Sequence, residues 1–153
     1  MGVRRRAREC ALMILYQIDV SGQGTERSVE RFFDAFWSGE PLDPAPPWLR
    51  DAGDQVSPLP EGARSYAEDL VRGVRANIEP IDTRIQQVSS HWRVDRMAKV
   101  DRNILRIGTY ELCYLQSEVP RKVAINEAVD IAKLFSTAES GAFINGILDR
   151  VRA

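Results

Sequence analysis

The sequence is short of the residues on which most catalytic and metal sites depend. Histidine occurs once, as His91, and the two cysteines, Cys10 and Cys113, do not form a CxxC pair. A metal site needs several such ligands at close spacing, and a nucleophilic cysteine or serine needs a base beside it. The sequence also has no GxGxxG, Walker A, HExxH or GxSxG motif. We therefore expect no enzymatic activity, no metal site and no cofactor.

Long hydrophobic runs are also missing from the 153 residues. A helix that crosses a membrane needs about 20 predominantly apolar residues in succession. The basic N-terminal segment is not followed by the apolar core and cleavage site of a signal peptide. Both cysteines lie within helical patterns, as is typical of reduced structural cysteines. These features predict a soluble, cytoplasmic protein without a membrane segment.

Charge is nearly balanced over the chain, at a net −1, but it is unevenly distributed. Residues 1–8 carry four arginines and no acid, whereas residues 9–62 carry ten acids against three arginines. Residues 63–153 carry fourteen basic and twelve acidic residues. Because the local field governs the binding of a polyanion, the arginine-rich start is a candidate binding patch in spite of the net charge.

This basic start belongs to a predicted helix. No Gly or Pro interrupts the segment from Val3 to Val20, and two glycines follow it. Helical spacing gives this helix an apolar face for the core and a different side that bears arginine beside an exposed-looking tyrosine and leucine. First-turn arginines oppose the helix dipole. Two interpretations are open at this point: a solvated face with an Arg5–Glu9 pair, or a contact to phosphates through guanidinium groups.

The remaining chain has helical periodicity, and no convincing alternating strand pattern is present, so the predicted fold class is all-α with about seven helices. Thr25 and Ser140 are the predicted N-caps of the second and the last helix. Gly108 lies inside a predicted helix, where glycine costs about 1 kcal/mol relative to alanine, which favours a close helix–helix approach there. Segment 38–62 contains six of the eight prolines and is predicted to be an exposed loop.

Four stretches resemble one known family. The run Val100–Leu112 (VDRNILRIGTYEL) resembles the central helix of the NusB family of transcription antitermination factors. Val119–Ala128 (VPRKVAINEA) looks like the VPxKVAINEA signature of that family, and Phe143–Asp149 (FINGILD) is similar to its FVNGVLD signature. The opening RRRARECALMILYQID is similar to the N-terminal helix of the family. The four stretches are spread over nearly the whole chain.

The resemblance implies one NusB-like RNA-binding domain over residues 1–153, built from two packed small helical subdomains. It also implies binding to the boxA element of leader RNA in ribosomal RNA operons, together with the small-subunit ribosomal protein NusE. The complex would join the RNA polymerase antitermination complex and promote full transcription of rRNA genes. By position, the resemblance assigns RNA binding to Arg4, Arg5, Arg6, Arg8, Glu139 and Phe143. It assigns the partner contact to Tyr16 and Asp101, with Arg102 and Leu12 adjacent.

Several alternatives remain open. NusB-like domains also occur fused to ribosomal RNA methyltransferases, and 153 residues leave no room for that catalytic domain. The chain is thus alternatively an RNA-docking or protein-adaptor module that works with an rRNA methyltransferase or a ribosome-assembly partner. Phe143 fits a stacking platform or a core anchor equally well. Ala142 occupies a position where many relatives have lysine, so one phosphate contact is expected to be missing.

Overall fold

The computed structural model describes residues 2–38 and 59–153, with side chains omitted for residues 36–38. Within these ranges there are seven α-helices, one short 3-10 helix and no strand, which confirms the predicted fold class. None of the described helices is both long and apolar enough to cross a membrane. The helices are α1 (Val3–Ser21), α2 (Thr25–Ser38), α3 (Ala63–Ala76), α4 (Ile78–Val88), α5 (Lys99–Tyr114), α6 (Arg121–Phe135) and α7 (Ala138–Arg150), with the 3-10 turn at Val94–Arg96.

The chain divides into two compact units, Met1–Arg72 and Gly73–Ala153. In the first unit, α1 ends as its glycines predict. Gly22 adopts a left-handed conformation with φ 72°, and its amide donates to the Ile18 carbonyl at 2.8 Å. Only glycine takes this conformation without a steric cost, so the C-cap is fixed by the sequence. The predicted apolar stripe of α1 is buried, and so are Val29, Phe32 and Phe33 of α2.

The ion pair between Arg72 and Glu26 joins α3 to α2. The Arg72 Nη2 donates to Glu26 Oε1 at 2.8 Å and its Nε donates to Oε2 at 3.0 Å. Residues 39–58 of the predicted proline-rich loop lie outside the described residues. The end of that segment, Pro60–Gly62, forms the turn that leads into α3, with the Ala63 amide donating to the Pro60 carbonyl at 3.0 Å.

In the second unit, α5 is the central helix, packed against α4, α6 and α7. Nine of its sixteen residues are buried, including Ile104, Leu105 and Leu112. Helix α7 approaches α5 closely at Gly108, where an added Cβ would lie 2.8 Å from the Leu148 Cδ1. The predicted close approach at Gly108 is therefore confirmed. A Cβ on Gly73 would likewise overlap the ring of Tyr110.

Three local predictions are wrong. Helix α2 begins at Thr25 itself, and the carbonyl that accepts the first helical bond, from the Ser28 amide at 3.0 Å, is that of Gly24, so Thr25 is not the N-cap. The N-cap of α7 is Thr137, whose Oγ1 accepts from the Ser140 amide at 3.2 Å, and Ser140 lies inside the first turn.

The apolar pattern of VPRKVAINEA predicts a core position for Val123, as for Ile125 and Ala128, but Val123 is 42% exposed. The buried side of α6 is centred on Ala124, Ala128 and Ile131, and Val123 lies about 100° away from Ala124 around the helix.

Arginine side chains bind the carbonyl groups at the end of α7. Arg121 donates to the carbonyls of Leu148, Asp149 and Val151 at 2.8 to 3.0 Å, and Arg84 donates to that of Arg152 at 2.6 Å. Carbonyls in a last turn lack intrahelical donors, and the helix dipole favours cations there. This use of arginine stabilises the C-terminal end of the helix.

Candidate nucleic-acid interface

The first turn of α1 concentrates positive charge. Arg4 is exposed, Arg5 and Arg6 are half-buried, and the turn contains no acidic residue. The first amides of any helix lack intrahelical acceptors, and the helix dipole adds a partial positive charge at the same end. Guanidinium groups, amides and dipole all act in the same direction here, so this end of α1 favours an anion.

Tyr66 of α3 holds two of these arginines. The Arg4 Cζ lies 4.9 Å from the centroid of the Tyr66 ring, and the Arg8 Cζ lies 5.9 Å from it. A cation over an aromatic face is attracted by the ring quadrupole, so Tyr66 orients the arginine cluster. Tyr66 shares its helical spacing with Leu70 and Val74, and this spacing alone predicts a core residue. Nothing in the sequence distinguishes a tyrosine under arginine from one in the core.

The other side of α1 is less exposed than its sequence predicts. Leu12 is 0% exposed, Glu9 is 1% exposed and Arg8 is 3% exposed. The prediction of Leu12 as part of an exposed partner-binding flank is therefore wrong, because the helix is buried without interruption from Ala7 to Leu15. Tyr16, one turn further on, is half-buried and keeps an accessible side. An RNA contact of Arg8 stays a prediction, and its burial favours a bracing role.

In the second unit, Phe143 forms an aromatic pair with Trp92. Their ring centroids are 5.6 Å apart and their planes are inclined at 78°. Phe143 is half-buried, whereas Trp92 is 60% exposed. Glu139 is exposed and lies one helical turn before Phe143. The sequence interpretation did not identify Trp92, because it lies in an irregular stretch without periodicity.

Asp101 and Arg102, at the start of α5, are both half-buried. The Asp101 Oδ2 accepts from the Ser140 hydroxyl at 3.2 Å, and Ser140 in turn lies 2.8 Å from the Ser136 hydroxyl. The other oxygen, Oδ1, is buried and has no hydrogen-bond partner among the described residues. Asp101 is therefore tied through Ser140 to the first turn of α7, the turn that carries Glu139.

An open cleft of about 380 Å³ lies in the second unit. It is lined by cations and acids, among them Arg93, Arg102 and the ion pair of Arg106 with Asp82, whose nearest atoms are 2.8 Å apart.

Among the residues that the structure describes, no three His, Cys, Asp or Glu side chains group to hold a metal ion. Burial raises the pKa of the Cys10 thiol to about 12 and keeps it protonated.

The candidate residues thus fall into two groups. The first unit holds the four N-terminal arginines, Tyr66 and Tyr16, and the second unit holds Phe143, Glu139, Asp101, Arg102 and Trp92. The NusB family model matches residues 5–153. The chain belongs to the NusB family. The family resemblance seen in the sequence is thereby confirmed over nearly the whole chain.

Two relatives of this NusB-family chain are similar to it over at least nine tenths of their own length. A transcription antitermination protein NusB of Anaeromyxobacter sp. (strain Fw109-5) is 45% identical, over 98% of this chain and 90% of the relative. Another, of Sorangium cellulosum (strain So ce56), is 40% identical, over 99% of this chain and 92% of the relative. The identity therefore covers both units of the structure.

Two solved structures resemble this one closely. A NusB structure from T. maritima aligns with a TM-score of 0.74 and 32% identity, over 96% of this chain and 88% of the other. A structure of the antitermination factors NusB and NusE in complex with double-stranded RNA contains a chain that aligns with a TM-score of 0.72 and 28% identity. That alignment covers 97% of this chain and 95% of the other.

Proposed function

We propose that this NusB-family protein is a non-enzymatic transcription antitermination factor of the cytoplasm. It binds the boxA element of ribosomal RNA leader transcripts together with NusE and joins the transcribing RNA polymerase. Support comes from the family membership, from relatives named as transcription antitermination proteins, and from the similar fold in a NusB–NusE–RNA complex. The alternative adaptor function has no specific observation in its favour.

The observation that carries the proposal is the first turn of α1. Arg4, Arg5 and Arg6 stand at the positive end of a helix without an acid in that turn. The helix dipole favours an anion at this end, and guanidinium forks match phosphate oxygens in geometry and charge. Contacts of this kind bind the RNA backbone without reading its sequence.

The residues of α7 are proposed to contact bases rather than phosphates. A carboxylate such as that of Glu139 repels phosphate but accepts a hydrogen bond from the amino group of a base. Phe143 offers an aromatic ring that is partly accessible. Base contacts at these two residues would supply the sequence preference that the arginines lack.

NusE is proposed to contact Tyr16 and the start of α5. Tyr16 keeps a partly accessible phenol ring, and amphipathic aromatic side chains are favoured at protein interfaces. Asp101 is half-buried, so part of this acidic residue stays accessible to a polar group of NusE. Arg102 lies beside it and would complete the polar part of the interface.

The test is a titration of labelled boxA RNA, a scrambled RNA and a duplex of the boxA sequence, each with and without NusE. We expect boxA to bind more tightly than the scrambled RNA when NusE is present. Equal affinities for the two RNAs would overturn sequence-specific recognition. NusE binding without any RNA-dependent gain would support the adaptor function instead. A preference for the duplex would overturn recognition of single-stranded RNA.

A double substitution tests the arginine cluster. We expect Arg5→Ala with Arg6→Ala to weaken RNA binding and to flatten the slope of log affinity against log salt by about 1.4, at about 0.7 for each single-strand phosphate contact. The melting temperature should change little. The matched control is Arg27→Ala with Arg31→Ala, which removes two exposed arginines from α2. An equal loss in both variants would indicate an effect of overall charge, and unfolding of the first would show that its arginines are structural.

A further inference from the structure

We propose that Trp92 stacks on an unpaired base of the bound RNA and that Trp92 and Phe143 together form one base-stacking platform. This inference rests on the proposed function, because it names a further residue of the same RNA-binding activity. Its starting point is the exposure of Trp92, which at 60% is the highest among the large hydrophobic side chains of the described residues. An indole at such exposure loses hydrophobic stabilisation unless a ligand covers it.

The pair has the geometry of a platform. The edge-to-face contact with Phe143, with a centroid distance of 5.6 Å, supports one part of the indole and leaves the rest exposed to solvent. Aromatic pairs in this arrangement are favourable in themselves. A base that stacks on Trp92 therefore meets a ring whose orientation is already restricted, and less side-chain entropy is lost on binding.

The backbone beneath the indole is also held in place. The Trp92 amide donates to the Ser89 carbonyl at 3.0 Å, and the Gln86 Nε2 donates to the Trp92 carbonyl at 3.0 Å. The Gln86 Oε1 accepts from the Val94 amide, also at 3.0 Å. The Gln86 side chain thus fixes the turn after Trp92, and the bond to Ser89 fixes it before Trp92, so the backbone needs no rearrangement to present the indole.

The surroundings favour a nucleotide over a protein partner. Ser90, His91 and Arg93, the nearest residues in the chain, are all exposed and polar, so the residues that flank Trp92 in the chain add no apolar surface to the indole. Arg93 pairs with Asp95 at 2.8 Å, but both side chains are more than 60% exposed. Such a surface pair contributes little free energy, and Arg93 can turn to a phosphate beside the stacked base. A single aromatic plane next to a cation is the chemistry of single-strand binding.

The experiment is a double-mutant cycle between the protein and the RNA. The wild-type protein, Trp92→Ala and Trp92→Phe are each titrated, with NusE present, against boxA RNA and against copies in which one nucleotide at a time is abasic. Tyr114→Ala is the matched control, because Tyr114 is another exposed aromatic residue of the same unit. A salt series and a melting curve accompany each variant.

We expect Trp92→Ala to weaken binding roughly 5- to 150-fold, the range for the loss of one base–aromatic stack, and Trp92→Phe to weaken it less. One abasic position should cost the wild type a similar factor and cost Trp92→Ala almost nothing. The slope of log affinity against log salt should be the same for Trp92→Ala as for the wild type. The control Tyr114→Ala should bind with the affinity of the wild type.

If each abasic position costs Trp92→Ala as much affinity as it costs the wild type, the stacking role is overturned. It is also overturned if Trp92→Ala binds boxA RNA as tightly as the wild type does. In both cases the proposed function would stand, because the wild type still binds boxA RNA. A wild type that binds neither boxA nor scrambled RNA would overturn the proposed function and this inference with it.

Discussion

Three glycines in helices allow the packing of the second unit to be tested by the same substitution, glycine to alanine. A Cβ on Gly146 would meet no atom within 4 Å, one on Gly108 would approach Leu148, and one on Gly73 would overlap the Tyr110 ring. Alanine is favoured over glycine inside a helix by about 1 kcal/mol in every case. The three variants therefore differ only in the space that is available to one methyl group.

The expected magnitudes follow from these contacts. Gly146→Ala should stabilise the protein by about 1 kcal/mol, which raises the melting temperature by about 2–4 °C at this chain length. At Gly108 the new methyl group would lie 2.8 Å and 3.1 Å from the two Leu148 methyl carbons, and Leu148 is fully buried. Because such overpacking costs about 1–3 kcal/mol, Gly108→Ala should be net destabilising by about 1 kcal/mol. Gly73→Ala should destabilise more, since the overlap involves a ring.

The assay is thermal and denaturant unfolding of the wild type and the three variants. A second experiment repeats the Gly108→Ala substitution in a Leu148→Ala background, which by itself costs about 2–5 kcal/mol of stability. In that background Gly108→Ala should become stabilising, because the Leu148 methyl groups that the new methyl group would meet are gone. If Gly108→Ala raises the melting temperature as much as Gly146→Ala, the argument that close packing requires glycine at this crossing is refuted.

Two further predictions concern single side chains. Tyr66→Leu should weaken RNA binding about 2- to 5-fold, since a cation–π contact at an exposed site contributes about 0.5–1 kcal/mol, whereas Tyr66→Phe keeps the ring and should bind like the wild type. Equal losses in both variants would point to the hydroxyl instead. At pH 8 a thiol reagent should label Cys113 well before Cys10, because burial raises the pKa of Cys10 to about 12 and reduces its thiolate at every lower pH. Prompt labelling of two thiols in the folded protein would contradict this.

The fold could be predicted from the sequence because the residues that begin, end and space its helices act locally. Gly22 terminates α1 as expected, because a left-handed C-cap depends on one residue and its immediate backbone. Gly108 marks a helix crossing as expected, because glycine inside a helix is itself the signal, although the residue that approaches it, Leu148, lies far along the chain. The N-cap of α7 was misplaced by three residues because Thr137 and Ser140 are both good caps, and only the path of the chain decides between them.

The candidate site could be predicted less well from the sequence, because its contacts join residues that are distant in sequence. Periodicity separated the sides of α1 but did not show that Glu9 and Leu12 are buried too. The contact of Arg4 with Tyr66 joins α1 to α3, and the Trp92–Phe143 pair joins a turn to α7. No spacing rule connects residues so far apart. The charge distribution marked the arginines as a candidate patch, but only family resemblance assigned Phe143 to RNA binding.

Arginines cluster at two helix ends in this protein, and their effects on stability are opposite. At the end of α7, Arg121 neutralises carbonyl groups and stabilises the native state whether or not a ligand is bound. At the start of α1, the arginines stand at the end of the helix that the dipole makes positive, where cations are disfavoured. A polyanion bound there, as proposed above, would reverse the sign of this effect. In that case the gain in stability on RNA binding should be largest in α1, which makes binding and folding linked at this helix.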